Sequence, residues 1–425
     1  MTVNDTENWA IAQDNADPLV GFRDRFHIPK EDGREQIYFC GNSLGLQPRG
    51  ARKLVEEELE DWAQYAVEAH FKGRRPWFSY HERLREPLAK VVGAEPIEVV
   101  AMNTLTVNLH LMMASFYNPT VQRPAILMEK NAFPSDYHAI RSQIAFHGFD
   151  PETDLIEIEG DEPGGTISDS AIAKAIETHG HRCALILLSG VQYLTGQAFD
   201  LKEIARLGHA QGCMVGFDLA HAVGNLPLQL HDAGCDFAVW CSYKYLNSGP
   251  GAVAGCFVHS RHKDTDRPRL AGWWGHRADT RFLMKPEFIP ASGADGWQLS
   301  NPPIFSLAPL IASLEIFNDA GMDALRRKSI ALTGYLEALI EKHLGDVLER
   351  LTPADPARRG CQLSLRVRGG RDDGKSLFDH LTADGIVGDW REPDVMRFSP
   401  TPLYNRHMDV LRLVNSIRRW HDTRN

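Results

Sequence analysis

Between Thr104 and Val258 a series of short apolar runs, PAILME, DLIEIE, CALILLS, CMVGFD, FAVWCS and AVAGCFV, alternates with stretches of helical character such as PSDYHAIRSQIAFHG, SDSAIAKAIETHG and LKEIARLGHAQG. Strands that alternate with helices build a mainly parallel sheet covered on both faces. Strands buried on both sides read as continuous rather than alternating apolar runs. The expectation is an α/β fold. In open sheets of this kind ligands bind beyond the carboxyl ends of the strands, so the polar residues that close each run are the ones to inspect.

Upstream, ARKLVEEELEDWAQYAVEAHF places Val55, Leu59, Trp62 and Ala66 at helical spacing, which predicts an amphipathic helix from Ala51. TLTVNLHLMMASFY, from Thr104 to Tyr117, predicts a mostly buried helix. Beyond SNPPIFSLAPL the pattern changes. One long helical stretch from Ser306 to about Leu344 is followed by a strand in CQLSLRV, a helix near KSLFDHLTADG, strands in IVGDWRE and VMRFS, and a closing helix near RHMDVLRLVNSIRRWH. The expected organisation is an N-terminal arm over 1–50, a large α/β domain over 51–305, and a small C-terminal α+β domain over 306–425.

A formal net charge of -10 over 425 residues gives no general attraction to nucleic acid or to an anionic membrane. The polar, acidic N-terminus MTVNDTENWAIAQDNADP lacks the basic and apolar regions of a signal peptide, and no apolar run approaches the roughly 20 residues of a membrane span. The 7 cysteines form no CxxC pair and lie mostly in apolar runs, as expected of reduced thiols in a cytoplasmic protein. No HExxH or Cys/His spacing suggests a metal. No phosphate-binding GxxxxGK[ST] loop is present either, and the basic stretch HSRHKDTDRPR reads as a solvated turn.

One lysine stands out. In WCSYKYLNSGPG, Lys244 follows an apolar run, sits between two tyrosines, and precedes a turn in which Gly249 and Gly251 let the backbone come close to a ligand. Lysine is rarely buried without a partner or a purpose. Asp218 closes the preceding run CMVGFD. A lysine to carry an aldehyde covalently and a carboxylate to keep a pyridine nitrogen protonated are what pyridoxal phosphate needs from a protein.

Taken together, GNSLGLQP, FPSD, GFDLAHAVGN, WCSYKYLNSGPG, GWWGH and SNPPI resemble the kynureninase family, over a span from about Tyr38 to about Asn405. The resemblance implies the aspartate aminotransferase-like fold, pyridoxal 5'-phosphate as cofactor, and hydrolytic cleavage of kynurenine or 3-hydroxykynurenine in tryptophan catabolism. It implies cofactor contacts from Leu105, Thr106, Phe133, Pro134, Ser135, Asp136, Ser189, Asp218, His221, Tyr243 and Lys244. Catalytic roles fall to Lys244, Asp218 and Tyr243. Trp273 and Asn301 would reach the site from a partner subunit, so a homodimer with a shared site is implied. Ser43, His70, Asn301 and Arg397 would bind substrate, Arg397 through the α-carboxylate. His70 stands where family members suited to plain kynurenine carry tryptophan, which points toward the 3-hydroxylated substrate.

Two other enzymes of the same fold stay open at this point. An aminotransferase would use the same lysine and aspartate. A cysteine desulfurase needs a nucleophilic cysteine on a mobile loop, whereas Cys361 lies in the strand-like CQLSLRV. A non-catalytic regulator that binds the same cofactor would carry a basic recognition helix, and the acidic residues before the first long helix do not supply one.

Overall fold

In the computed structural model, which describes residues 4–162 and 165–424, the apolar runs become the inner strands of one seven-stranded sheet. Its strands are β1 (Val99–Ala101), β2 (Ala125–Glu129), β3 (Leu155–Ile158), β4 (Cys183–Ser189), β5 (Met214–Asp218), β6 (Phe237–Trp240) and β7 (Gly255–Val258). Their order is β1-β7-β6-β5-β4-β2-β3. Only β7 runs antiparallel to its neighbours. The three-residue strand β1 was not anticipated, because a run that short carries no periodicity.

Both faces of the sheet are covered, as its uninterrupted apolar strands require. The helices Leu105–Phe116 and Pro134–Phe146 bring Leu109, Met112, Phe116, Ile140 and Ile144 against one face. The other face buries Ile172 and Ile176 from the helix Asp169–His179, Ile204 from Leu201–Ala210, and Leu314 and Phe317. Each such side chain contributes about 1.5–3 kcal/mol by leaving water, so the strand ends are held by a rigid support.

The helical stretch expected from Ser306 to about Leu344 is two helices, Ile304–Ala320 and Met322–His343, bent by 80° at a break. Gly321 makes the break, with a φ of 76° that a residue bearing Cβ rarely adopts. The first helix stays in the core of the large sheet, while Leu332, Leu336 and Leu339 of the second enter a separate core. That second core lies on an antiparallel sheet of β8 (Leu348–Arg350), β9 (Leu363–Val367), β10 (Asp389–Arg391) and β11 (Val395–Phe398), ordered β8-β9-β11-β10. The N-terminal residues join it: Ala10 and Phe39 are buried there, and Ile37–Tyr38 pairs with Ile386–Val387.

The amphipathic helix is present at Arg49–Tyr65, with its faces opposite to expectation. Leu59 and Trp62 are exposed, Trp62 by 56%, while Glu58 and Asp61 are buried. The carboxylates are buried because they are fully used. Glu58 accepts from Arg75 Nε (2.6 Å), Trp77 Nε1 (2.8 Å) and the Tyr80 hydroxyl (3.1 Å), and Asp61 accepts from the Arg74 N–H (2.7 Å) and Nη1 (2.8 Å). Among the described residues no single helix is long and apolar enough to cross a membrane.

Candidate active site

At the carboxyl ends of β2, β4 and β5, Glu129, Ser189 and Asp218 stand side by side. Ser189 pairs with Asp218 in the β4–β5 register, and the Ser189 N–H donates to both oxygens of Glu129 at 3.2 Å. The turn after β5 supplies His221, and the loop after β6 supplies Tyr243 and Lys244. With Leu105, Thr106, Phe133, Ser135, Asp136 and Tyr193 these residues line one cavity of about 110 Å³. Larger clefts occur elsewhere, but this one brings carboxylates, an imidazole and a lysine together at the strand ends.

The loop carrying Lys244 is fixed by the N-terminal motif. Gly45 N–H donates to Tyr243 O (2.8 Å), and a Cβ on Gly45 would fall 2.3 Å from Lys244 O, so only glycine fits there. Lys244 Nζ lies 3.1 Å from His221 Nε2 and 5.8 Å from the centre of the Phe133 ring. Burial, followed by the nearby Lys244 ammonium, holds the His221 imidazole well below its usual range and therefore neutral. Nε2 then accepts from Lys244, and Nδ1 carries the hydrogen.

Three carboxylates crowd this small space. Asp136 is pushed well above the ordinary range by burial and by the Asp218 charge. Burial raises Asp218 too, opposed by the Ala220 N–H on its Oδ1 (2.7 Å) and by Lys244. Glu129 rises to about 7, chiefly through burial. Like charges this close cannot all ionise. A cation beside Asp218 would relieve the cluster.

These residues fit pyridoxal phosphate. Asp136 Oδ1, Ser189 Oγ and His221 Nδ1 are buried without a hydrogen-bond partner although their residues line the cavity, and buried polar atoms are normally satisfied. The helix Leu105–Phe116 begins at the cavity wall with no side chain capping its first N–H groups, which suits a phosphate. The Thr106 and Ser135 hydroxyls lie 2.9 Å apart beside it.

Of the residues expected at the site, Leu105, Thr106, Phe133, Ser135, Asp136, Ser189, Asp218, His221, Tyr243 and Lys244 meet here. Six others do not line the cavity. Pro134 opens the helix behind Phe133. Ser43 lies in a turn, its N–H donating to Cys40 O. His70 turns Nδ1 to Val67 O at 3.0 Å and sets its ring edge-on to Trp77. Trp273 is half exposed against Trp274 and Phe282. Asn301 is exposed and lines a separate cleft with Asn103, Thr104 and Gly251.

Arg397 is fully buried behind Tyr193 rather than in the cavity wall. It donates from Nη1 to Tyr193 O and from Nη2 to Asp389 Oδ2, both at 2.7 Å. Glu129 and Tyr193 are cavity residues that the sequence did not flag. Glu129 ends an apolar run just as Asp218 does, which is the signal that could have found it.

Outside the site, Glu98, His231 and His259 gather groups of metal-binding type. Glu98 Oε1, His231 Nδ1 and His259 Nδ1 are already engaged within the protein. Glu98 Oε1 accepts from Ser260 N–H (2.7 Å) and pairs with His231 Nδ1 (2.9 Å), while His259 Nδ1 accepts from Arg261 N–H (3.1 Å).

Comparison with known proteins follows the same line. The profile of the kynureninase C-terminal domain matches residues 325–417. A kynureninase of Xanthomonas euvesicatoria pv. vesicatoria is 63% identical over 411 residues, 97% of each chain. One of Stenotrophomonas maltophilia is 63% identical over 412 residues, again 97% of each. Among solved structures, a cysteine desulfurase of Escherichia coli superposes with a TM-score of 0.77 at 18% identity, covering 95% of this chain and 98% of its own. One of Thermococcus onnurineus does so at 0.73 and 17%, covering 90% and 94%. These two likenesses establish the aspartate aminotransferase-like fold alone. Cys361 is buried, and burial pushes its thiol up to about 12, unlike a nucleophile. By sequence along nearly its whole length, the chain belongs to the kynureninase family.

Proposed function

We propose that the chain holds pyridoxal phosphate covalently on Lys244 and hydrolyses the Cβ–Cγ bond of L-kynurenine or L-3-hydroxykynurenine, yielding an anthranilate and L-alanine. The observation that carries this reading is the meeting of Lys244, neutral His221 and buried Asp218 in one cavity at the strand ends. When bound, pyridoxal phosphate withdraws electrons from the substrate α-carbon, which no side chain can do.

The chain's own groups do the rest. Asp218 would hold the ring nitrogen protonated, and Ser189 and Asp136 would offer further polar contacts. Backbone N–H groups at Leu105 and Thr106, with the Tyr243 hydroxyl, would hold the phosphate. Phe133 would cover the ring. Lys244 takes the proton from the substrate α-carbon. Burial keeps the Tyr243 hydroxyl protonated, which suits it to deliver a proton to Cβ as alanine forms.

Arg397 is assigned to the substrate carboxylate, and Ser43, His70 and Asn301 to the aryl end. The exposed Leu59, Trp62 and Phe305, and an apolar groove of about 900 Å³ lined in part by Leu44, Val55 and Leu59, support a homodimer in which Trp273 and Asn301 complete the neighbouring site. Seven cysteines without a disulfide support a cytoplasmic setting. The two cores support a domain boundary at Gly321.

Borohydride reduction of the purified protein followed by peptide mapping tests the anchor. The cofactor should stay on the peptide containing Tyr243 and Lys244, and Lys244→Ala should retain none. Retention on another lysine would overturn the assignment.

A further inference from the structure

Arg397, which the reading above gives to the substrate α-carboxylate, already holds a carboxylate in this structure. Its Nη2 donates to Asp389 Oδ2 at 2.7 Å across the β10–β11 pair, where the two residues are in register. Its Nη1 donates to Tyr193 O at 2.7 Å, and the Asn42 carboxamide lies 3.3 Å from its Nε and Nη2. The guanidinium is 1% exposed. A substrate carboxylate seeking two parallel N–H donors would therefore meet a group whose charged face is taken.

Asp389 has a second cation. Arg391 Nε lies 2.8 Å from its Oδ1, and Arg391 Nη2 donates to its Oδ2 at 3.1 Å. Arg391 is 35% exposed, so it faces water where Arg397 does not. Tyr193 joins this network to the cavity: its carbonyl accepts from Arg397, its side chain lines the cavity, and its ring meets Phe133 edge-on at 5.3 Å.

We propose that Asp389 is a built-in carboxylate that occupies Arg397 until the substrate's α-carboxylate takes its place, and that Arg391 retains Asp389 after the exchange. The proposal rests on the assignment of Arg397 to the substrate. One carboxylate replaces another, so neither the buried guanidinium nor the displaced aspartate is left unpaired, a state that costs far more than the exchange itself. It makes Asp389 a positioning residue that sets the cost of seating the α-carboxylate on Arg397, a cost that ligands lacking a carboxylate do not meet. Such ligands leave Asp389 on Arg397.

The test is binding of L-alanine, the amino-acid product, to the holoenzyme, followed by the change in visible absorbance and by calorimetry. L-Alaninamide serves as the ligand without a carboxylate. Asp389→Asn keeps the shape and a hydrogen-bond acceptor but removes the competing charge, and it should tighten L-alanine binding at least about threefold while leaving L-alaninamide within twofold. Arg391→Gln, at a more exposed position, should weaken L-alanine by a similar factor because the displaced aspartate loses its second partner. Unchanged or weaker L-alanine binding in Asp389→Asn, or an equal shift for both ligands, would overturn the exchange. Arg397→Gln separates the two levels. If it still binds L-alanine like the parent, the assignment of Arg397 itself falls; if it loses binding while Asp389→Asn is unchanged, only the exchange falls.

Discussion

Lys244 Nζ lies 3.1 Å from His221 Nε2, and the imidazole is held neutral by burial and by that same lysine. A neutral acceptor at this distance fixes where the lysine head group points, while an imidazole held this low is too weak a base to take an ammonium's proton. His221→Phe removes the acceptor and keeps the ring volume. Capture of pyridoxal phosphate by the apoprotein, followed by the growth of visible absorbance, should slow about tenfold as the lysine loses its fixed position. An unchanged rate would show that the contact does not position the lysine.

Glu129 offers a test by pH. Its folded value of about 7 lies above the ordinary carboxylate value of 4.5, so the folded chain binds the proton more tightly than the unfolded chain. Stability is therefore lost as pH rises from the unfolded value through about 7, by an amount on the order of 3 kcal/mol. Glu129→Gln keeps an acceptor for the Ser189 N–H and removes the ionisation. Its apoprotein should melt above the parent at pH 8, with the gap closing toward pH 5. A gap that does not change with pH would contradict the raised value.

Subunit mixing tests the shared site. Lys244→Ala and Asn301→Ala variants should each be inactive or nearly so, and mixing them under conditions of subunit exchange should restore partial activity through one intact site per mixed dimer. Trp62→Glu should shift the protein toward monomer by light scattering. No recovery of activity despite demonstrated exchange would rule out sharing.

Two residues of the candidate site are legible from continuous apolar runs alone, Asp218 closing CMVGF and Lys244 just beyond FAVWCS, whereas Ser189, Thr106, Phe133, Asp136, His221 and Tyr243 are named only by what the family resemblance implies. Glu129 obeys the same rule, yet a glutamate closing a strand reads equally as a solvated end. Asp389 was invisible for a different reason. Its pairing with Arg397 depends on the register of a hairpin, which sequence does not specify. The helix Arg49–Tyr65 shows the limit of periodicity: it reports that Leu59 and Trp62 share a face, yet says nothing of what covers it, and buried Glu58 and Asp61 depend on arginines well downstream. The bend at Gly321 was hidden because one glycine in a helical pattern is compatible with a continuous helix.

Substrate choice should respond to His70. A site built around a hydroxyl discriminates against the analogue that lacks it, because an unpaired buried group costs about 1–3 kcal/mol. Activity on both substrates is expected, with the lower KM for 3-hydroxykynurenine. His70→Trp should move the ratio of kcat/KM values toward kynurenine by about tenfold. A ratio that does not move would show that the imidazole does not contact the hydroxyl.

Product stoichiometry is the most direct measurement of what the cavity does. Purified holoenzyme given L-kynurenine or L-3-hydroxykynurenine, with no keto acid present, should release L-alanine and the matching anthranilate in equal amounts over many turnovers, and Lys244→Ala should release neither. If turnover instead requires an α-keto acid and converts it to an amino acid with the substrate's carbon chain intact, the chain is an aminotransferase, and the hydrolytic roles given to Lys244, Asp218 and Tyr243 are wrong.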